Sequence, residues 1–217
     1  MICVQSQLWW NPRLRAYDTK GILKWSEKTK NLYVWEYYNF PQHRKDNLFP
    51  GFSIHRFSDN IKLYKKLGIK GMFIELDYTP VNFSWTNPVQ DQINLYFTLK
   101  LLDDADVNID TLLNEFYSAF YGKAGEPIKQ FVMKAENIYN STEKYPTASL
   151  NTLTHLNSEL SWKYLCPPDS LKQFSKLIED AYRLARTDIE KNRVKLFDEA
   201  VHQMMLKSSA AYFQNRT

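Results

Sequence analysis

The stretch "NLYVWEYYNF", Asn31 to Phe40, is a run of β-formers interrupted by a carboxylate, Glu36, among Trp35, Tyr37 and Tyr38. Aromatic and β-branched residues suit a pleated strand, and a lone charge at the end of a buried strand is expensive. Glu36 is therefore either a paired structural acid or a side chain that the strand delivers to a site. Successive strand side chains point to opposite faces. Leu32, Val34, Glu36 and Tyr38 share one face; Tyr33, Trp35 and Tyr37 share the other.

Working outward, "IKGMFIELD", Ile69 to Asp77, has the same alternation. Met72, Ile74 and Leu76 join Lys70 on a mostly apolar face fit for helix cover, while Gly71, Phe73, Glu75 and Asp77 point the other way. Between the strands, "FPGFSIHRFS" reads as a loop punctuated by Pro50 and Gly51. The helix "NIKLYKKLG" follows, capped by Ser58 or Asp59 and stopped by Gly68. Upstream, "MICVQSQL" reads as a strand and "GILKWSEKTK" as a short helix with Ile22, Leu23 and Trp25 on its apolar side. Downstream, the aromatic loop "YTPVNFSWTNP" leads into the helix "VQDQINLYFTLKLLDD", with Pro88 near its first turn. Strands alternating with helices mark the α/β class, with parallel crossovers in a sheet or barrel.

After residue 106 the pattern is helical: "IDTLLNEFYSAFYG" behind a cap at Asn108 or Asp110, then "GEPIKQFVMKAENIYN" with Pro127 in its first turn. A long polar excursion around a short helix leads to two amphipathic helices, "DSLKQFSKLIEDAYRLAR" and "DIEKNRVKLFDEAVHQMMLKSSAAYF". In the first of these, Leu171, Phe174, Leu177, Ile178 and Tyr182 form a stripe. The expected organisation is an α/β segment over 1–105 and a helical module over 106–217.

Composition narrows the function classes. The 217-residue chain carries a net charge of +4 without a dense basic surface, His43-Arg44-Lys45 and Lys62 to Lys66 being short runs, so nucleic acid is not an expected partner. Cys3 and Cys166 lie outside any C-x-x-C pattern, and the histidines lack ligand spacing, so neither a metal nor another cofactor is expected. No apolar run is long enough for a transmembrane helix, and the opening stretch does not read as a signal peptide. The aromatic share is 15%, with 14 Tyr and 6 Trp. Such rings serve either an aromatic-rich core or stacking on flat ligands such as sugars.

In a barrel, the face away from the helices lines the interior and the C-terminal strand ends form the mouth. Glu36 and Glu75 then stand near the ends of neighbouring strands, roughly 5–10 Å apart. That range covers both retaining and inverting glycosidases. The alternatives are ion pairing or hydrogen bonding to sugar hydroxyls. Trp35, Tyr37, Asp77, Tyr78 and Trp85 are candidate substrate-binding residues at this mouth, with His43 and His55 in the loop after the Glu36 strand.

The landmarks Trp35-Glu36-Tyr37, "LGIKGMF" from Leu67, "LLDDADVNIDTLLNEF" from Leu101, "FYGKAGEPI" from Phe120 and "DIEKNRVK" from Asp188 resemble the DUF4838 family of large bacterial proteins. The resemblance covers nearly the whole chain, and "FYGKAGEPI" is its most specific part. It implies a polysaccharide-active protein of Bacteroidetes, related to glycoside hydrolases with a (β/α)8 TIM-like barrel, whose full-length relatives are secreted or periplasmic. A complete barrel takes about 250 residues. The chain is therefore expected to be the C-terminal part of such a protein, needing the N-terminal barrel half or another subunit. The expected function is action on, or binding of, a polysaccharide, with Glu75 and Glu36 as candidate acids. The alternative is a non-catalytic carbohydrate-binding or structural module, or an inactive fragment.

Overall fold

The computed structural model describes residues 1–37, 49–74, 88–152 and 155–215. Strands β1 (Ile2–Val4), β2 (Tyr33–Glu36) and β3 (Gly71–Ile74) pair in parallel in the order β1-β2-β3. The register sets Val34 between Ile2 and Met72, Trp35 between Cys3 and Phe73, and Glu36 between Val4 and Ile74. The chain is thus α/β, mostly helical, around one small parallel sheet.

Helix α1 (Pro12–Lys28) links β1 to β2. It starts well before Gly21, because the Asn11 side chain accepts from the Arg13 and Leu14 amides and Pro12 occupies the first turn, where its missing N–H costs nothing. Of the apolar side expected from Ile22, Leu23 and Trp25, only Ile22 is buried, while Leu23 and Trp25 stand exposed. Leu14 and Ile22 are the residues that pack under the sheet.

Helix α2 (Ile54–Lys66) links β2 to β3 and corrects a second expectation. Ser58 and Asp59 lie inside the helix, and His55 belongs to its first turn rather than to a loop. Ile54, Phe57, Ile61 and Tyr64 already follow helical spacing and are buried. A distant group serves the first turn, since the His55 amide donates to Glu136 Oε1 at 2.8 Å across 81 residues. The helix stops at Gly68, whose φ of 71° favours glycine.

One sheet face carries Val4 and Val34, buried with Trp9, Ile22 and Tyr64 in a small core that Ile2 and Met72 also flank. A larger core joins the remaining helices: α3 (Pro88–Asp103), α4 (Ile109–Tyr121), α5 (Gly125–Asn140), the short α6 (Thr147–Leu150), α7 (Pro168–Leu184), α8 (Asp188–Phe197) and α9 (Gln203–Gln214). That core also takes in Trp10, Phe52, Ile54 and Phe57 from the first half, and it includes both Ala105 and Ile109. Trp10 stacks on Tyr145 at 3.9 Å between ring centroids, and the Tyr139 hydroxyl donates to the Gln7 carbonyl. The segment after β1 is thereby fastened to the helical body.

Caps and breakers explain the helix ends. Asn108 accepts from the Thr111 amide at the start of α4, which ends at Gly122 with φ 59°. A Cβ at Gly122 would lie 2.0 Å from Glu190 Oε1, and one at Gly125 would lie 2.2 Å from the Tyr117 carbonyl oxygen. Both glycines are therefore set by close approach. Glu190 completes a capping box with Thr187 at the start of α8. Arg193 donates to the Phe120 carbonyl and sits 4.1 Å over that ring. The segments "FYGKAGEPI" and "DIEKNRVK", far apart in sequence, thus meet in one joint. The expected single last helix is broken by a π turn, Asp198–His202, between α8 and α9.

Candidate functional site

The end of β2 holds the acid that the sequence singles out. Glu36 is 0% exposed and lies on the helix-covered face with Val4 and Ile74. It accepts from Ser6 Oγ at 2.7 Å and from the Tyr64 hydroxyl. Among the described residues no cation pairs with it, and hydroxyls serve it where ion pairing was one of the alternatives. Burial pushes its pKa from 4.5 up to about 8, against the lowering effect of the Tyr64 and Ser6 hydrogen bonds. At neutral pH Glu36 is mainly a neutral acid. It ties the end of β2 to α2 and to the 3-10 turn Ser6–Leu8.

The opposite face is aromatic. Trp35 meets Phe73 edge-on at 4.9 Å and stacks with Tyr37 at 6.1 Å. Tyr33 and Phe73 are 40% and 49% exposed, while Trp35 and Tyr37 are half-buried. Among the described residues, neither hydrophobic core takes in any of these four rings. The Tyr33 ring lies over Gly71, where a Cβ would approach it to 3.2 Å. Cys3 stands exposed on the same face beside Trp35, whereas Cys166 is buried in the helical core, and both thiols are free. Partly exposed rings can take a flat, partly apolar ligand.

Glu75, Asp77, Tyr78, Trp85 and His43 lie outside the described residues. The structure therefore brings together Trp35 and Tyr37 of the expected set, and places Glu36 on the other side of the sheet from them. His55, expected near a strand-end loop, instead contacts Glu136 at 2.9 Å and Asp110 at 3.2 Å. Its hydrogen bond to Glu136, partly opposed by burial, raises its pKa to about 9.

A second constellation, at the π turn, escaped the sequence reading. His202 is buried, with Nδ1 2.7 Å from Asp198 Oδ1 and Nε2 2.8 Å from Ser175 Oγ. These distances copy a nucleophile–base–acid chain. Such chemistry also needs donors aimed at a developing oxyanion, yet Ser175 lies mid-helix in α7, where backbone amides are spent on the helix itself. Asp198 further accepts from the Tyr182 hydroxyl and the Gln203 side-chain Nε2. The group braces the π turn against α7. Its signal in sequence is the Asp198–His202 spacing, but Ser175 joins only through tertiary packing.

Among the described residues no helix is long and apolar enough to cross a membrane. The fold and site define an α/β protein with a small parallel sheet, helix-covered on one face and aromatic on the other. A family model described as a domain of unknown function, DUF4838, matches residues 9–133. The chain belongs to the DUF4838 family. No curated protein and no solved structure matches it.

Proposed function

We propose that the protein binds carbohydrate on the aromatic face of its sheet, near the C-terminal ends of β2 and β3. The observation that carries this reading is the row Phe73, Trp35 and Tyr37, with Trp35 in ring contact with both neighbours and, among the described residues, all three outside both hydrophobic cores. Its chemistry suits the apolar faces of sugar rings, which pack on indole and phenol while their hydroxyls stay hydrated. The parallel order β1-β2-β3, with connecting helices packed on one face, also suits a segment of a (β/α)8 barrel whose interior is this aromatic face. In that arrangement further strands, from a longer chain or another subunit, complete the wall around the sugar.

In this reading Glu36 is a structural acid that fixes the strand end, since it is sealed and faces the helices. Glu75, next in sequence after β3, is the acid to test for turnover.

Affinity measurements on a panel of plant and host polysaccharides decide the matter. Trp35→Ala and Tyr37→Ala are expected to weaken the best ligand tenfold or more, about 1.4 kcal/mol. Trp25→Ala, an exposed tryptophan on α1, should leave it unchanged. Equal affinity in all three variants, or no ligand in the panel, contradicts the proposal. Hydrolysis of a bound glycan that Glu75→Gln abolishes without loss of affinity would make the protein an enzyme. Binding without turnover at any pH would make it a binding module.

A further inference from the structure

A polar cleft of about 360 Å³ lies between α1, the first turns of α2 and the end of α5. Two guanidiniums line it: Arg15, exposed on α1, and Arg56, half-buried on α2. Arg56 Nη1 is buried without a hydrogen-bond partner. Among the described residues no carboxylate forms an ion pair with Arg56 or Arg15. An arginine fork left unpaired is unusual, because its planar donors match an oxyanion bidentately and their desolvation otherwise goes uncompensated.

The other charges around the cleft do not fill that role. Glu136 is engaged by the His55 amide and ring, and His55 also contacts Asp110. Asp59 lines the cleft from the surface of α2 and has no ion pair among the described residues. With His55 protonated, the lining holds the cations Arg15, Arg56 and His55 against the anions Glu136 and Asp59, an excess of one positive charge. Burial and the neighbouring Arg15 charge push the Arg56 pKa down to about 10, against the opposing effect of Glu136. The Asn137 side chain adds neutral polar capacity at the rim.

We propose that this cleft is a binding site for an oxyanion, a carboxylate or sulfate group, held between the Arg56 and Arg15 guanidiniums. The volume falls within the range of about 300–1,000 Å³ usual for small-molecule sites, so the anion can be free or carried on a sugar-sized molecule. The proposal is independent of the aromatic face.

Calorimetric titration of the whole chain with sodium sulfate and with sodium glucuronate, at constant ionic strength in chloride and with neutral glucose as control, tests it. The expected result is binding of at least one of the two anions and none of glucose. Arg15→Gln should weaken it tenfold or more, and Asp59→Asn, which removes the opposing charge, should strengthen it severalfold. Both residues are exposed, so these variants test the site even if Arg56→Gln fails to fold. Sulfate bound as tightly as glucuronate assigns the site to a free oxyanion, and tighter glucuronate assigns it to an acidic sugar. No binding of either anion, glucose binding equal to glucuronate, or affinities unmoved by Arg15→Gln and Asp59→Asn would overturn the proposal.

Discussion

The two faces of the sheet are built from the same strands and follow opposite rules. On one, Val4 and Val34 are buried against Trp9, Ile22 and Tyr64, and even the charge-capable Glu36 is held neutral beneath hydroxyl donors. On the other, Tyr33, Trp35 and Phe73 contribute aromatic surface to neither core. A two-residue period is enough to separate them. The covered face carries stability and the aromatic face adds to neither core, so substitutions should divide accordingly.

The largest difference is expected between two aromatic deletions. Trp9 is 2% exposed and its indole N–H donates to Asp18 at 2.8 Å. Trp9→Ala should cost about 3–5 kcal/mol in denaturant unfolding, the range for a large core aromatic, whereas Phe73→Ala on the open face should cost less than about 1 kcal/mol. Similar losses for the two would erase the distinction between the faces.

Next comes the acid. Folded Glu36 holds its proton up to about pH 8, while the unfolded chain releases it near 4.5. The folded state therefore binds more protons in that window, and stability falls as pH rises through it. Glu36→Gln should match the parent at pH 4.5 and exceed it by a few kcal/mol at pH 8, at about 1.4 kcal/mol per pKa unit. Unchanged relative stability across that range would show Glu36 to be ionised and hydrated. Two other groups act with the same sign. Burial raises Asp91 from 3.8 to about 7, and Glu136 raises His55 from 6.5 to about 9. Thermal midpoints of the parent are accordingly expected to fall from pH 5 to pH 9, and a rise over that interval would contradict the assigned shifts.

A smaller effect is expected from Tyr64→Phe, which removes one donor to Glu36 while keeping the ring in the core. The loss should be about 1–3 kcal/mol at neutral pH. A neutral result would mean that Ser6 alone satisfies the acid.

The legibility of these features in the sequence follows their range. The faces of β2 and β3 could be read because alternation is local, and α3 to α5 because Pro88, Asn108, Gly122 and Pro127 mark their ends within a few residues. The start of α2 was hidden because its first-turn acceptor, Glu136, comes from another helix. Leu23 and Trp25 misled because a helix on a small sheet buries only a narrow strip. The π turn leaves the apolar pattern on either side almost continuous, so "DIEKNRVKLFDEAVHQMMLKSSAAYF" reads as one helix. Glu36 was conspicuous by composition, but its seal depends on Ser6 and Tyr64, 30 and 28 residues away. Arg15 and Arg56 belong to no basic run, and only the tertiary fold, which sets both along one cleft, makes them neighbours.

Cys3 gives the most direct test of the open face, since it lies beside Trp35 there while Cys166 is enclosed by the helical core. The measurement is the rate of maleimide labelling at each cysteine in the folded chain, read by mass spectrometry with and without the best-binding glycan. Labelling of Cys3 alone, slowed by the glycan, is the predicted result. Labelling of Cys3 no faster than Cys166, or unaffected by a saturating glycan, would contradict the assignment of this face to ligand binding.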